Sequence, residues 1–187
     1  MVVRVIGLGN VLMGDDGFGP HVVARLGDEC ECGPGVTLLD AGTPGLDLLP
    51  FVADADALIF VDTVRDDGPP GTLRRYGADV LMRTASAMRL GPHDPGVGHA
   101  LALRALVGPP LAHVSLIGVV PGRVSVGPGL SPHVQAALAP ACERVAREVA
   151  AAGGRLTRRP DAVASLPWWE RRAPAPASAP RTIPPRA

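Results

Sequence analysis

Residues 2–26, VVRVIGLGNVLMGDDGFGPHVVARL, decide the fold. Residues 2–8 form a β-branched apolar run that meets glycines at its end, as a buried strand does, while 19–26 place Val22, Val23 and Leu26 at helical spacing. The chain therefore opens as strand, loop, helix. The alternation continues, with 36–40 reading as a second strand, 46–52 as a short helix, and 57–63 (ALIFVDT) as a third strand whose unbroken apolar run predicts burial on both faces. Residues 71–76 follow a Gly-Pro-Pro turn with too little chain for a helical crossover, so they read as an antiparallel partner or edge strand. A helix over 98–107 and a last buried strand over 114–120 (VSLIGVV) complete the sheet. The final helix is expected to start at Ser131, an N-cap with Pro132 behind it, and to carry Val134, Leu138, Ala141, Val145 and Val149 on one face. Pro140 should kink or split it.

Alternating strands and helices predict a three-layer α/β/α sandwich around a mostly parallel sheet of about five strands. In such sheets the loops at the carboxyl ends of the strands gather at a crevice, where chemistry sits. The α/β domain is expected over 1–156. Residues 157–187 hold seven prolines and six arginines with little periodicity and read as a disordered tail, in which Trp168 and Trp169 are a docking point or a loosely packed surface segment.

Composition removes several function classes. All 18 basic residues are arginine, so a P-loop lysine, Schiff-base chemistry and a lysine-activated serine are excluded. Residues 1–156 carry 12 arginines against 16 acids, the wrong sign for nucleic-acid binding, whereas 157–187 carry 6 against 2. Three cysteines, Cys30, Cys32 and Cys142, with no C-x-x-C pair, argue against a disulfide framework or structural zinc and fit a reducing cytoplasm. The apolar amino terminus lacks signal-peptide features, and no run approaches the ~18 apolar residues of a membrane span. Cys30 and Cys32 read as surface thiols in an acidic loop that raises their pKa, and Cys142 as helix packing.

The remaining chemistry lies in carboxylates and a histidine. Gly7 and Gly9 begin a dinucleotide-like turn, but the third glycine of that fingerprint falls on Leu12, which disfavours a nucleotide-binding domain. No G-x-S-x-G or H-E-x-x-H is present. Asp15 and Asp16 follow the first strand, and one of them should cap the next helix. Asp62 closes the third strand, where an acid after Leu58-Ile59-Phe60-Val61 needs a partner or a metal. His93 stands between Pro92 and Pro95 in the loop before the 98–107 helix, while His21, His99, His113 and His133 fall in or beside regular elements. Two carboxylates and an imidazole can hold a first-row divalent ion. Asn10 is expected to tie its loop by side-chain hydrogen bonds, and Gly42 and Thr43 to shape an adjoining loop after the second strand.

GLGNVLMGDDGFG at 7–19 resembles the opening motif of the hydrogenase maturation proteases, in which G-x-G-N-x-L-x-x-D is followed by an acidic residue and G-x-G. The likeness continues through DAGTPGLDLL at 40–49, FVDTVRDDGPPGTL at 60–73, HDPG at 93–96 and GLSPHVQAAL at 129–138. It spans 1 to about 150 in order and leaves only the tail outside. The resemblance implies a nickel-dependent endopeptidase that removes the carboxyl-terminal extension of a nickel-iron hydrogenase large-subunit precursor. It places the family's nickel-binding and catalytic set on Asp16, Asp62 and His93, with the nickel carried by the precursor. Asp16 stands where the motif also accepts Glu, one methylene longer. The rival reading is a non-catalytic, nickel-checking chaperone that binds the same precursor through the same ligands.

Overall fold

The computed structural model describes residues 1–84, 94–162, 167, 169 and 170. The opening segment forms β1 (Val3–Leu8), and after a short turn of 3-10 helix at Gly14–Gly17 the chain enters α1 (Phe18–Glu29). The three-residue β2 (Cys30–Cys32) precedes β3 (Val36–Gly42), α2 (Leu49–Val52) and β4 (Ala57–Thr63). Then come β5 (Leu73–Gly77), α3 (Ala78–Thr84), α4 (Asp94–Val107) and β6 (His113–Val119). The chain closes with α5 (Pro132–Ala136), α6 (Leu138–Ala151) and β7 (Leu156–Arg158).

The central sheet has the order β3-β1-β4-β6-β5. β1 lies parallel to both β3 and β4, β4 is parallel to β6, and β5 runs antiparallel to β6 at the edge. Alternation along the strands builds the two cores. Val3, Val5, Ile59, Val61, Ile117 and Val119 meet α1 and α6 on one face. Ile6, Leu8, Leu58, Phe60, Val114 and Leu116 meet α2, α3 and α4 on the other. Every residue of β4 is buried, as its apolar run predicts. The three-layer α/β/α architecture with a mostly parallel five-stranded sheet is thus present, and among the described residues no helix is long and apolar enough to cross a membrane.

Some local features depart from the sequence reading. The carboxyl-terminal helix breaks at Ala137, not at Pro140. Pro140 sits in the first turn of α6, where an amide N–H has no helical acceptor and its loss costs little. β2 and β7, which sequence periodicity does not mark, pair antiparallel into a separate ribbon, so the compositional boundary at 156 falls inside a strand. Cys30 and Cys32 lie in that ribbon and not in an open loop. Burial pushes both thiols up, and for Cys30 the Glu29 charge adds to it. Cys142 is buried in α6, and desolvation pushes its thiol up to about 12.

The first residues beyond 156 are likewise attached to the domain. Arg159 donates from Nη1 to the carbonyls of Gly27 and Asp28, 2.8 Å each, closing the end of α1. Further on, Trp169 stands edge-on to His21 with ring centroids 5.3 Å apart, and Glu170 Oε1 lies 2.5 Å from His21 Nε2. Trp168 and residues 171–187 lie outside the described residues.

Candidate active site

The site is built where β1 and β4 end. Gly9, at φ +128°, turns the chain off β1, and a Cβ there would stand 1.8 Å from the Asp16 carbonyl oxygen. Gly19 lets α1 lie on the strand ends, because its Cβ would fall 2.3 Å from the Leu8 carbonyl and 2.4 Å from that of Val61. A side chain at either place would push the acidic loop away from the sheet.

Asp15 and Asp16 are both buried, but they serve different ends. Asp15 is not the helix cap that its position suggests. Its Oδ2 accepts the backbone N–H groups of Gly122 and Arg123, both at 2.7 Å, and the Ser131 hydroxyl at 2.8 Å, while Oδ1 accepts the Ser131 N–H at 2.6 Å. Burial alone would push this carboxyl up, yet the donors from Ser131, Arg123 and Gly122 outweigh it and hold the group below its ordinary value. Ser131 in turn gives its hydroxyl to Asp15 instead of capping α5. Backbone bonds from Gly14 N–H to Gly127 and from Asp15 N–H to Arg123, each 2.9 Å, complete the joint between the two loops.

Asp16 faces the strand ends. Its Oδ2 accepts the Asn10 N–H at 2.9 Å, and the Thr63 hydroxyl approaches Oδ1 at 3.5 Å, the outer limit of a hydrogen bond. Asp62, one residue before Thr63, is 5% exposed and accepts the Thr63 N–H at 2.7 Å. Asp16 and Asp62, remote in sequence, are thereby brought to the carboxyl ends of the inner strands β1 and β4. Asn10 Oδ1 accepts the Leu12 N–H at 3.0 Å, the loop-tying role expected of it. His93 lies outside the described residues. Among the described residues, to which His93 does not belong, no three His, Cys, Asp or Glu side chains group as a metal-ligand set.

A cavity of about 190 Å³ is lined by Gly9, Asn10, Val11, Pro20, Asp40, Gly42 and Thr43, so Gly42 and Thr43 share it with Asn10, whose N–H is bonded to Asp16. Asp40 Oδ1 accepts the Gly42 N–H at 3.0 Å and shapes that wall. Thr63 and Asp40 were not singled out by the sequence; the available signal was their place at strand ends, next to Asp62 and to Gly42-Thr43.

The other histidines are engaged elsewhere. His21 Nδ1 donates to the Gly17 carbonyl at 2.7 Å and meets Glu170, and His113 Nε2 lies 2.8 Å from Glu148 Oε2, so both have an acid that local sequence does not reveal. His99 and His133 are exposed on their helices.

The model of the family described as HycI, hydrogenase maturation protease, matches residues 20–148. The hydrogenase expression/formation protein HupD of Thiocapsa roseopersicina is 35% identical over 166 residues, covering 88% of this chain and 75% of that protein. The hydrogenase 2 maturation protease of Escherichia coli is 32% identical over 146 residues, covering 78% of this chain and 88% of the relative. Among solved structures, the hydrogenase maturating endopeptidase HybD from E. coli superposes with a TM-score of 0.79 at 29% identity, over 87% of this chain and all of that one. The carboxylate-bearing strand ends thus sit in a fold and a sequence background shared with peptidases, and the chain belongs to the hydrogenase maturation protease family, as an endopeptidase that hydrolyses a peptide bond.

Proposed function

We propose that the protein removes the carboxyl-terminal extension of a nickel-iron hydrogenase large-subunit precursor, and that Asp16, Asp62 and His93 engage nickel already carried by that precursor. The observation that carries this reading is the placement of Asp16 and Asp62, both buried, at the carboxyl ends of β1 and β4, with a cavity lined by Asn10 and Thr43 next to the Asp16 loop. Two carboxylates so placed present oxygen donors suited to a divalent ion, and an imidazole from the loop before α4 would complete an O/O/N set. The nickel belongs to the substrate and acts as a tag for a loaded subunit.

Cleavage needs water delivered to the scissile carbonyl and a group to accept its proton. A carboxylate at this edge can serve as that base and return the proton to the leaving amine, while a cation at the carbonyl oxygen would stabilise the charge that develops there. A thiol nucleophile is disfavoured, because all three cysteine thiols have pKa values raised above the ordinary range. The free thiols Cys30, Cys32 and Cys142 support a cytoplasmic setting.

The test is mass spectrometry of a nickel-loaded precursor and a nickel-free one, before and after incubation with the full chain. Loss of the extension from the loaded precursor alone is expected. Cleavage of both would remove the nickel requirement, and stable binding without a mass change would be the behaviour of a nickel-checking chaperone.

A further inference from the structure

Among the described residues six large apolar side chains are exposed, and three of them, Leu12, Val124 and Val126, at 60%, 48% and 85%, stand on two loops bonded to each other. The bond is a short backbone ladder. Gly127 N–H donates to the Leu12 carbonyl and Gly14 N–H to the Gly127 carbonyl, both at 2.9 Å, and Met13 pairs with Gly127 in a parallel bridge. Asp15 joins the same loops a second time through the N–H groups of Gly122, Arg123 and Ser131. Single apolar residues scattered over a surface need no explanation, but apolar residues gathered on a fixed frame mark an interaction site.

The frame is continuous with the carboxylate site. Leu12 N–H donates to Asn10 Oδ1 and Asn10 N–H to Asp16 Oδ2, so Asn10 links the backbone of Leu12 to one of the two carboxylates. Asn10 and Val11 line the cavity that Asp40, Gly42 and Thr43 share, while the Leu12 carbonyl meets the 122–127 loop. Residues 10–12 therefore have the cavity at one end and the two exposed valines at the other. Arg123, the only charged residue of 121–130, turns Nη2 back to the Gly129 carbonyl at 3.1 Å.

We infer that Leu12, Val124 and Val126 form a docking face for an apolar surface of the folded precursor subunit, an inference that rests on the function proposed above. Position names the occupant. The chain is an endopeptidase, and a polypeptide brought to Asp16 for hydrolysis lies within a few residues of Leu12. A peptide in the cavity beside Thr43 leaves the Leu12 side to the body from which that peptide emerges. Because Asp15 fixes the 122–131 loop before any partner arrives, burial of the three side chains is not offset by the cost of ordering the loop.

The experiment measures KM and kcat for the nickel-loaded precursor, and calorimetric affinity for its loaded and nickel-free forms, with the full chain and its Leu12→Ser, Val124→Ser and Val126→Ser variants. Leu106→Ser, at an exposed apolar position of α4, is the control. Each loop substitution is expected to raise KM and weaken both affinities by about five- to tenfold, and the triple substitution by about a hundredfold, with kcat within about twofold. Val126→Ile should keep the parental KM. Unfolding midpoints should not move, because the three side chains are exposed. Unchanged KM and affinity in the triple variant, an equal loss in Leu106→Ser, or a dimer of the free chain that the triple variant dissolves would overturn the docking face. A parent chain that binds the precursor without cutting it would overturn the proposed function while the affinities still decide the face, and one that binds neither form would overturn both.

Discussion

Two buried carboxylates far apart in the molecule, Asp15 and Glu148, are held in opposite ways. At the carboxyl ends of β1 and β4 Asp15 is surrounded by neutral donors, three backbone N–H groups and a hydroxyl, brought by the loop that runs from Gly122 to Ser131. At the other end Glu148 of α6 accepts Nε and Nη2 of Arg75 at 2.6 and 2.9 Å and faces His113 at 2.8 Å. The second arrangement neutralises charge and fastens α6 to β5 and β6. The first leaves the negative charge in place while fixing the backbone of the loop that carries Gly122, Arg123 and Ser131.

The comparison breaks most sharply if the neighbouring acids are exchanged in role. Asp62→Asn keeps shape and removes charge, so processing of the loaded precursor should fall by at least about a hundredfold while the unfolding midpoint stays near that of the parent. Asp16→Asn should behave similarly. Asp15→Ala should instead cost about 3 kcal/mol or more in denaturant unfolding, because three N–H groups and a hydroxyl lose their acceptor in a buried place. Asp15→Asn should cost about 1 to 3 kcal/mol, since the amide presents a donor to at least one of those N–H groups. Loss of cleavage at unchanged stability in the Asp15 variants would show that the pair divides its work the other way.

Acid titration sharpens the contrast. Burial pushes Glu148 up, but Arg75, Ser115 and His113 pull it down to about 2 from an ordinary 4.5. A carboxyl depressed in the folded state contributes stability that is present above its unfolded pKa and is lost as pH falls through its folded one. Between pH 4.5 and 2 the chain should therefore lose on the order of 2 to 3 kcal/mol through Glu148. Asp15, also depressed, adds to the loss in the same direction below its ordinary 3.8. Unfolding midpoints measured across this range should fall less steeply for Glu148→Gln than for the parent; identical slopes would remove Glu148 from the acid response.

What local sequence reveals follows from how far each partner lies along the chain. The sheet is legible because β1, β4 and β6 are apolar runs with their own boundaries, and β5 because a Gly-Pro-Pro turn leaves no length for a crossover. The Asp15 role is not, because local pattern offers helix capping while the actual partner Ser131 is 116 residues away. The same holds for His21, whose acid lies 149 residues downstream in a segment whose composition signals only a tail. β2 and β7 are three residues each, too short for a period to show. Asp62 stands out because the end of a buried strand is where an acid is hardest to explain by solvation alone, whereas the choice of Asp16 over Asp15 rests on the family motif.

The smallest effect expected concerns that tail, and it depends on where the chain is cut. Ending at Gly154 removes β7, strips β2 of its partner and withdraws Arg159 from the end of α1, so the ribbon opens and Leu26 and Cys142 lose cover from Leu156. Ending at Ala162 keeps all of these and, among the described residues, removes the Trp169 and Glu170 contacts to His21, which are partly buried and should be worth about 1 kcal/mol. The Ala162 form should process an isolated precursor at the parent rate, because Asp16, Asp62 and the cleft beside Thr43 are intact in it. The Gly154 form should unfold at lower denaturant than the Ala162 form, and His21→Ala in the full chain should reproduce the modest loss seen on cutting at Ala162. If cutting at Ala162 slows processing, and does so more at low salt than at high, the tail arginines help to dock an acidic face of the precursor, and the domain proper is longer than its sheet.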